Sequence, residues 1–214
     1  MRNGIQWKYP EAIVECEWLS NQIDNQKIRV YDCTTYLHYT DDHPLKPYDV
    51  ESGFNDYKNT HIKNAAFLDL QFELSDNNSP YSFTLPRSND LAETFKEHGI
   101  GNPYHIILYA RNGMQWSTRV WWMLHYLGFN NASILNGGFD EWKRLSFLTE
   151  SKVNRFSRAD FDVDIKPDIF VGKERVLQAI SKKSSILINA LTEDLHLGNN
   201  PRYGRPGRIP NSIN

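Results

Sequence analysis

The segment from His105 to Phe129, HIILYARNGMQWSTRVWWMLHYLGF, restricts the possible folds of this chain more than any other. Its first five residues are rich in β-branched and apolar types and predict a buried strand, and the run after Ser117 has apolar residues at helical spacing. Ser117 is of a type that caps helix starts, and Gly128 closes the helix. The polar loop Ala110 to Trp116 lies between them. A strand, a loop and a helix in this order predict an α/β fold, whose loop N–H groups can hold an anion.

The predicted anion loop carries no nucleophile. The residues from Ala110 to Trp116 include no cysteine, serine, histidine or carboxylate. A phosphatase loop needs cysteine six residues before the helix arginine, but Gly113 stands six before Arg119. A hydrolase elbow needs Gly-x-Ser-x-Gly, but Gln115 and Arg119 stand two residues either side of Ser117. The spacing therefore excludes both classes of enzyme.

The same alternation of strands and helices extends over the first 145 residues or so. The predicted strands are Ala12 to Val14, Lys27 to Cys33, His105 to Tyr109 and Ala132 to Leu135. The predicted helices are Glu17 to Ile23, a segment capped by Ser88 and closed by Gly99, the helix after Ser117, and a short helix holding Trp142. This order is typical of a doubly wound parallel sheet with helices on both faces.

The composition excludes several kinds of partner. The chain has 24 Lys and Arg against 26 Asp and Glu, a net charge of −2, and no basic cluster of the kind that binds nucleic acid. No apolar run is long enough to span a membrane, so we predict no membrane partner. The N-terminus has neither a signal-peptide nor a transit-peptide pattern, which favours a cytoplasmic location and leaves a mitochondrial one open. A small molecule is the expected partner.

The chain divides into a complete domain and a partial repeat of it. Residues 1–145 form the first predicted domain, and the polar residues 146–168 form a predicted linker. Residues 169–214 repeat the start of the chain, because Asp32 matches Asn189 at an offset of 157 and His61 matches Arg208 at an offset of 147. At the same spacing the second anion loop falls beyond Asn214. We therefore expect a tandem duplication whose second copy is truncated before that loop.

Several stretches in the correct order resemble the two-domain rhodanese and 3-mercaptopyruvate sulfurtransferase family. The most specific is Ser117 to Trp142, STRVWWMLHYLGFNNASILNGGFDEW, and EWLSNQI, NAAFLDLQFELSD and PYSFTLP add further matches. The resemblance covers nearly the whole chain and implies a rhodanese-like fold with two similar α/β domains. It also implies that only the C-terminal domain carries the catalytic cysteine, at the start of its strand-to-helix loop.

The resemblance implies a sulfurtransferase of the thiosulfate or 3-mercaptopyruvate type. Such an enzyme moves sulfane sulfur through a cysteine persulfide, from a small anionic donor to a thiol or cyanide-like acceptor, without a cofactor. Here that cysteine would lie beyond Asn214, so the 214-residue chain is expected to be inactive. The alternative interpretation is a catalytically inactive rhodanese-like module that binds or regulates.

Two residues match substrate-binding positions of the family. Arg202, in a Pro-Arg pair, matches a carboxylate-binding arginine, although Arg205 and Arg208 leave the register open. His61 matches a histidine near the interdomain cleft, and a plain buried histidine is the alternative interpretation. The second copy departs from the family at its strand end, where Asn189, Leu191 and Leu195 replace a pattern that includes a substrate-clamping arginine, and Arg208 replaces a histidine.

The remaining reactive or aromatic residues have structural interpretations. Cys16 and Cys33 are expected to be buried thiols without a disulfide. A loop with two histidines and two aspartates lacks defined ligand spacing, so no metal site is predicted. The tryptophans are expected to pack in the core or between domains. The loop residues are His38, Asp41, Asp42 and His43, and the tryptophans are Trp116, Trp121, Trp122 and Trp142.

Overall fold

A computed structural model describes residues 9–40, 47–182 and 184–214. Within them the chain forms two compact units. Unit 1 comprises the described residues of Met1–Tyr36 and Glu51–Lys166, and unit 2 comprises those of Leu37–Val50 and Pro167–Asn214. In the described part of the chain, no helix is both long and apolar enough to cross a membrane.

A five-stranded parallel sheet forms the centre of unit 1. Its strands are β1 (Ile13–Val14), β2 (Ile28–Asp32), β6 (Ala66–Phe67), β7 (His105–Tyr109) and β8 (Ala132–Leu135). Their order in the sheet is β1-β8-β7-β2-β6, and every neighbouring pair is parallel. The bounds of β7 and β8 agree with the sequence prediction, because both strands are runs of apolar residues that the sheet buries.

In the described part of unit 1, four α-helices lie between these strands in the chain and a fifth follows β8. They are α1 (Cys16–Asn21), α2 (Phe54–Asn59), α3 (Ser88–Glu97), α4 (Gln115–Tyr126) and α5 (Gly138–Arg144). The helices after Ser88 and Ser117 were predicted, but neither serine is the cap, since α3 and α4 are capped by Arg87 and Met114 without a side-chain hydrogen bond. Ser117 lies inside α4, where its buried hydroxyl donates to the Met114 carbonyl at 2.9 Å.

Helices cover both faces of the sheet. On one face α1 and α5 enclose a cluster that includes Leu19, Val30, Tyr109 and Trp142. The alternate residues of β2 point to the other face, where the Tyr31 hydroxyl donates to the carbonyl of His98 at the end of α3. The predicted doubly wound α/β fold is therefore confirmed.

Most of the predicted linker, residues 146–168, packs as part of unit 1 in the structure. Residues as far as Lys166 belong to unit 1. Their strand β9 (Thr149–Glu150) pairs antiparallel with β5 (His61–Ile62), and further along Lys166 donates its N–H to the carbonyl of Tyr126. We call residues 146–166 the strap. Ala159 and Phe161 of the strap are buried. Together with these backbone hydrogen bonds, they hold the strap against the rest of unit 1.

Unit 2 contains few regular elements. These are the outer part of the paired strands β3 (Thr35–Tyr39) and β4 (Tyr48–Ser52), helix α6 (Lys173–Ile180) and helix α7 (Glu193–Leu197). A parallel bridge joins Ile188 to Ile213. Adding the repeat offsets 157 and 147 to Tyr31 and Ala66, which pair in unit 1, gives these same two residues. The predicted repeat thus relates two parallel pairings of equal register.

Candidate functional site

The predicted anion loop lies at the carboxyl end of β7. It runs from Ala110 to Met114, and Met114, the N-cap of α4, lies three residues before the predicted cap Ser117. Asn112 and Gly113 have positive φ angles of 56° and 115°. At a positive φ, the peptide groups are rotated away from the orientation that they have in an extended strand. The location fits the rule that ligands of parallel α/β sheets bind beyond the carboxyl ends of the strands.

A buried carboxylate supports Arg111, the second residue of the loop. The Arg111 N–H donates to the Thr34 hydroxyl oxygen at 3.1 Å, and that hydroxyl donates to Asp32 Oδ1. Asp32 is fully buried, and burial raises its pKa although the Thr34 hydroxyl and N–H hydrogen bonds oppose the increase. The Arg111 Nε lies 3.8 Å from Asp32 Oδ2. The Arg111 N–H is therefore used inside the protein.

The side chain of Arg111 turns into the domain. Its guanidinium lies 3.8 Å from the centre of the Phe139 ring and donates to the carbonyl of Thr60. Only 12% of the side chain is exposed. A cation in this position stabilises Asp32 and cannot at the same time project toward a ligand in solvent.

A second carboxylate contacts the loop from α5. Asp140 Oδ2 accepts the N–H of Asn112 at 3.0 Å. Gly138, the first residue of α5, has a φ of 57° and lies so close to the loop that a Cβ there would clash with the Ala110 carbonyl oxygen. Glycine is therefore required at residue 138 for this close approach.

The structure places His61, a predicted substrate-binding residue, inside unit 1. The side chain is fully buried, and its Nδ1 lies 2.6 Å from the Tyr57 carbonyl. The ring stacks on Tyr57 with centroids 3.9 Å apart, and Nε2 lies 3.8 Å from Glu150 Oε1 in the strap. These contacts correspond to the buried histidine that was the alternative interpretation. A role toward substrate stays a prediction.

Arg202, the other predicted substrate-binding residue, lies in unit 2. Its guanidinium is 4.4 Å from the centre of the Tyr39 ring, and its N–H donates to Asn200 Oδ1 at 3.0 Å. Arg208, which left the register open, donates to the carbonyl of His196 at 3.2 Å. Arg202 thus stacks on the β3–β4 strand pair, and the substrate-binding role stays a prediction.

Neither thiol is placed for nucleophilic chemistry. Cys16 and Cys33 are both free and buried. Burial, with smaller contributions from nearby glutamates, raises the pKa of Cys16 to about 12. Burial and the adjacent Asp32 raise the pKa of Cys33 well above its usual value. Because the thiolate is the reactive form, both residues are structural.

We expect the folded protein to resist thiol modification. At pH 8 a pKa of about 12 leaves only about one thiol in ten thousand ionised at Cys16. A disulfide reagent such as DTNB should titrate no thiol in the folded chain and both cysteines after unfolding in urea. Rapid modification of one cysteine before unfolding would contradict this interpretation.

The predicted loop residues and tryptophans lie in different parts of the chain. Asp41, Asp42 and His43 lie outside the described residues, and in the rest of the chain no group of three or more His, Cys, Asp and Glu side chains could hold a metal ion. Trp142 is fully buried in the core of unit 1. Trp122 is 47% exposed on α4.

The model of the rhodanese-like domain family matches residues 15–145. This range exceeds half of the chain and contains the loop and four of the five strands of the sheet, β2, β6, β7 and β8. The chain belongs to the rhodanese family. The matched range also contains the stretch from Ser117 to Trp142 that carried the resemblance in the sequence.

Known sulfurtransferases are similar to nearly all of this chain and to about two thirds of their own length. The chain is 29% identical over 204 residues to the 3-mercaptopyruvate sulfurtransferase of Escherichia coli K12, covering 94% of this chain and 69% of that protein. It is 28% identical over 213 residues to the thiosulfate sulfurtransferase of Rattus norvegicus, covering 95% and 68%. The crystal structure of Escherichia coli SseA, a 3-mercaptopyruvate sulfotransferase with the rhodanese fold, is similar with a TM-score of 0.75 and 27% identity, covering 94% and 73%.

The sequence located the anion loop but did not indicate two residues that accept its N–H groups, Thr34 and Asp140. Thr34 follows a predicted strand, and Asp140 follows the Gly137-Gly138 turn. The available signal was the strand order, because loops after neighbouring parallel strands meet at one edge of a sheet. That signal gives proximity, but it does not indicate which side chain donates or accepts.

Proposed function

We propose that this chain is part of a sulfurtransferase of the thiosulfate or 3-mercaptopyruvate type. The observation that carries the proposal is the similarity at 27–29% identity to proteins named for these two activities, over most of the chain. The donor is a small sulfur-containing anion, and the acceptor is a thiol or a cyanide-like nucleophile. The sulfur travels as a persulfide on a cysteine that is not among the 214 residues.

The structure of the loop supports the last point. Ala110 occupies the start of the loop, where the resemblance places cysteine in a catalytic domain, and it is buried. Cys16 and Cys33 lie elsewhere and are buried with raised pKa values. Unit 1 would then be the non-catalytic copy of a duplicated fold. The equal register of the Tyr31–Ala66 and Ile188–Ile213 pairs supports this duplication.

A second proposal is an inactive rhodanese-like module that binds or regulates. It is favoured by the loop itself, in which Thr34 and Asp140 accept the N–H groups of Arg111 and Asn112. The sequence encoded after Asn214 separates the two proposals. A Cys-Gly-x-Gly-type loop about 40–50 residues further on favours the enzyme, and its absence favours the module.

We expect the 214-residue polypeptide to form no thiocyanate from cyanide with either thiosulfate or 3-mercaptopyruvate. Neither described thiol can ionise readily, so no persulfide carrier is available. The Escherichia coli relative serves as the positive control in the same assay. Thiocyanate formation that is lost in Cys33→Ser would contradict the assignment of unit 1 as non-catalytic.

A further inference from the structure

The chain contains three Asn-Gly dipeptides, a sequence in which the asparagine side chain reacts readily with the backbone nitrogen that follows it. Glycine favours this reaction because it has no side chain to obstruct the approach of the two groups. Asn3-Gly4 lies outside the described residues, and the other two are Asn112-Gly113 and Asn136-Gly137. These two follow the neighbouring strands β7 and β8. Because their sequences are alike, their surroundings decide which of them reacts.

The Asn112 side chain is free to react. Asn112 and Gly113 are exposed, and within the part of the chain that the structure describes, neither the Asn112 side chain nor the Gly113 N–H has a hydrogen-bond partner. The Gln115 side-chain oxygen lies next to Gly113, on the side where any other residue would carry its Cβ. Asn112 is held through its own N–H, which donates to Asp140 Oδ2 at 3.0 Å. That contact leaves the side chain and the peptide nitrogen of Gly113 available.

The Asn136 side chain is restrained. Its Nδ2 donates to both carboxylate oxygens of Glu15, at 3.0 and 3.1 Å. Its backbone is also held, because its N–H donates to the Val14 carbonyl at 2.8 Å and its carbonyl accepts the Cys16 thiol at 3.5 Å. Gly137 is the N-cap of α5. Hydrogen bonds to a charged acceptor are stronger than neutral ones, so the Asn136 amide leaves Glu15 only at a cost.

We infer that Asn112 is a site of spontaneous deamidation, and that Glu15 protects Asn136 from the same reaction. The Gly113 nitrogen loses its proton to hydroxide and forms a bond to Cγ of Asn112. The Cγ–Nδ2 bond then breaks, and water protonates the leaving group, which releases ammonia and regenerates hydroxide. A second water opens the cyclic imide to leave aspartate or isoaspartate. The reaction uses only water and hydroxide.

Deamidation changes the charge of the loop. It replaces a neutral amide by a carboxylate on the residue whose N–H donates to Asp140, and like charges repel. Isoaspartate also lengthens the backbone by a methylene group. The inference concerns this covalent change alone and goes beyond the proposed sulfur transfer. Its failure would leave that proposal unchanged, because the proposed persulfide cysteine is not in this loop.

The experiment is tryptic peptide mapping of the 214-residue chain by mass spectrometry during incubation in mildly alkaline buffer. Asn112 and Asn136 fall in separate peptides, residues 112–119 and 120–143, and Asn3-Gly4 falls in a third. Deamidation raises the mass by the difference between water and ammonia, and fragment spectra locate the site. In the folded chain Asn112 should react about tenfold faster than Asn136 or more, because Asn136 must first give up a charged hydrogen bond. In urea the two rates should be similar.

Glu15→Ala frees the Asn136 side chain and should raise its rate toward that of Asn112. Glu17→Ala is the matched control, since it removes an exposed glutamate two residues away that does not contact Asn136. Asn112→Gln should abolish the product in the first peptide.

Faster reaction at Asn112 in the folded chain, lost in urea, supports the inference. Equal rates at the two asparagines in the folded chain overturn it. A difference that persists in urea also overturns it, because the local sequence would then set the rates. If Glu15→Ala does not accelerate Asn136, the protective role of Glu15 is wrong.

Discussion

Replacing Trp142 by alanine is expected to lower the free energy of unfolding of unit 1 by about 3–5 kcal/mol. The indole is fully buried in the cluster between the sheet and helices α1 and α5. It packs edge-on against Phe147 with centroids 5.0 Å apart, and its Nε1 donates to the carbonyl of Leu148 at 3.0 Å. The variant therefore loses core volume and the contact that joins α5 to the strap.

Trp122→Ala is the matched control, because this tryptophan lies on α4 with 47% of its surface exposed. We expect a loss of about 1 kcal/mol or less for it. Urea unfolding followed by circular dichroism gives both values without depending on tryptophan fluorescence. Similar losses for Trp122→Ala and Trp142→Ala would show that Trp142 does not have the central role that its burial indicates.

Arg29→Met is expected to destabilise unit 1 by about 2–4 kcal/mol and to release the strap. Arg29 is 5% exposed, and its guanidinium donates to the carbonyls of Gly99 and Ser157. The guanidinium lies 3.4 Å from the centre of the Tyr104 ring and 4.9 Å from that of Phe156. Methionine fills the apolar space but leaves both carbonyls without their donor.

Urea unfolding measures the loss of stability, and thermolysin digestion measures release of the strap. The natural chain should resist cleavage within residues 146–166, and Arg29→Met should be cut there early. Arg87→Met is the control, since the Arg87 side chain is 88% exposed and pairs with Asp90 on the surface. It should change stability by no more than about 0.5 kcal/mol. Early cleavage of the strap in the natural chain would contradict its attachment through Arg29.

The sequence determined the class of the fold and the place of its loop. The strands β7 and β8 have the predicted bounds because each is a short apolar run that a parallel sheet buries on both faces. The loop after β7 was located from the change of period between strand and helix. These are local properties, so a single sequence contains enough information to predict them.

The helix starts were less predictable. Serine is a residue type that often caps helices, yet α4 begins at Gln115 and Ser117 is buried inside it. Helix ends depend on which neighbouring groups satisfy the free N–H groups of the first turn. The loop before α4 has distant partners, because Thr34 and Asp140 accept the N–H groups of Arg111 and Asn112. Both are distant in sequence from the loop that they contact.

The tertiary structure alone decided how the polar segment 146–166 is used. Its composition is that of a linker, but Arg29, Tyr57 and Lys96 meet it with hydrogen bonds at Ser157, Asn154 and Ala159. The composition of a segment shows how polar it is, but it does not show which distant residues will form hydrogen bonds with its backbone. In the same way, the sequence determined that unit 1 has an anion loop, and only the packing of α5 beside β7 decided that Asp140 contacts it. The two residues of that contact, Asn112 and Asp140, are 28 positions apart and become neighbours only because their strands are adjacent in the sheet.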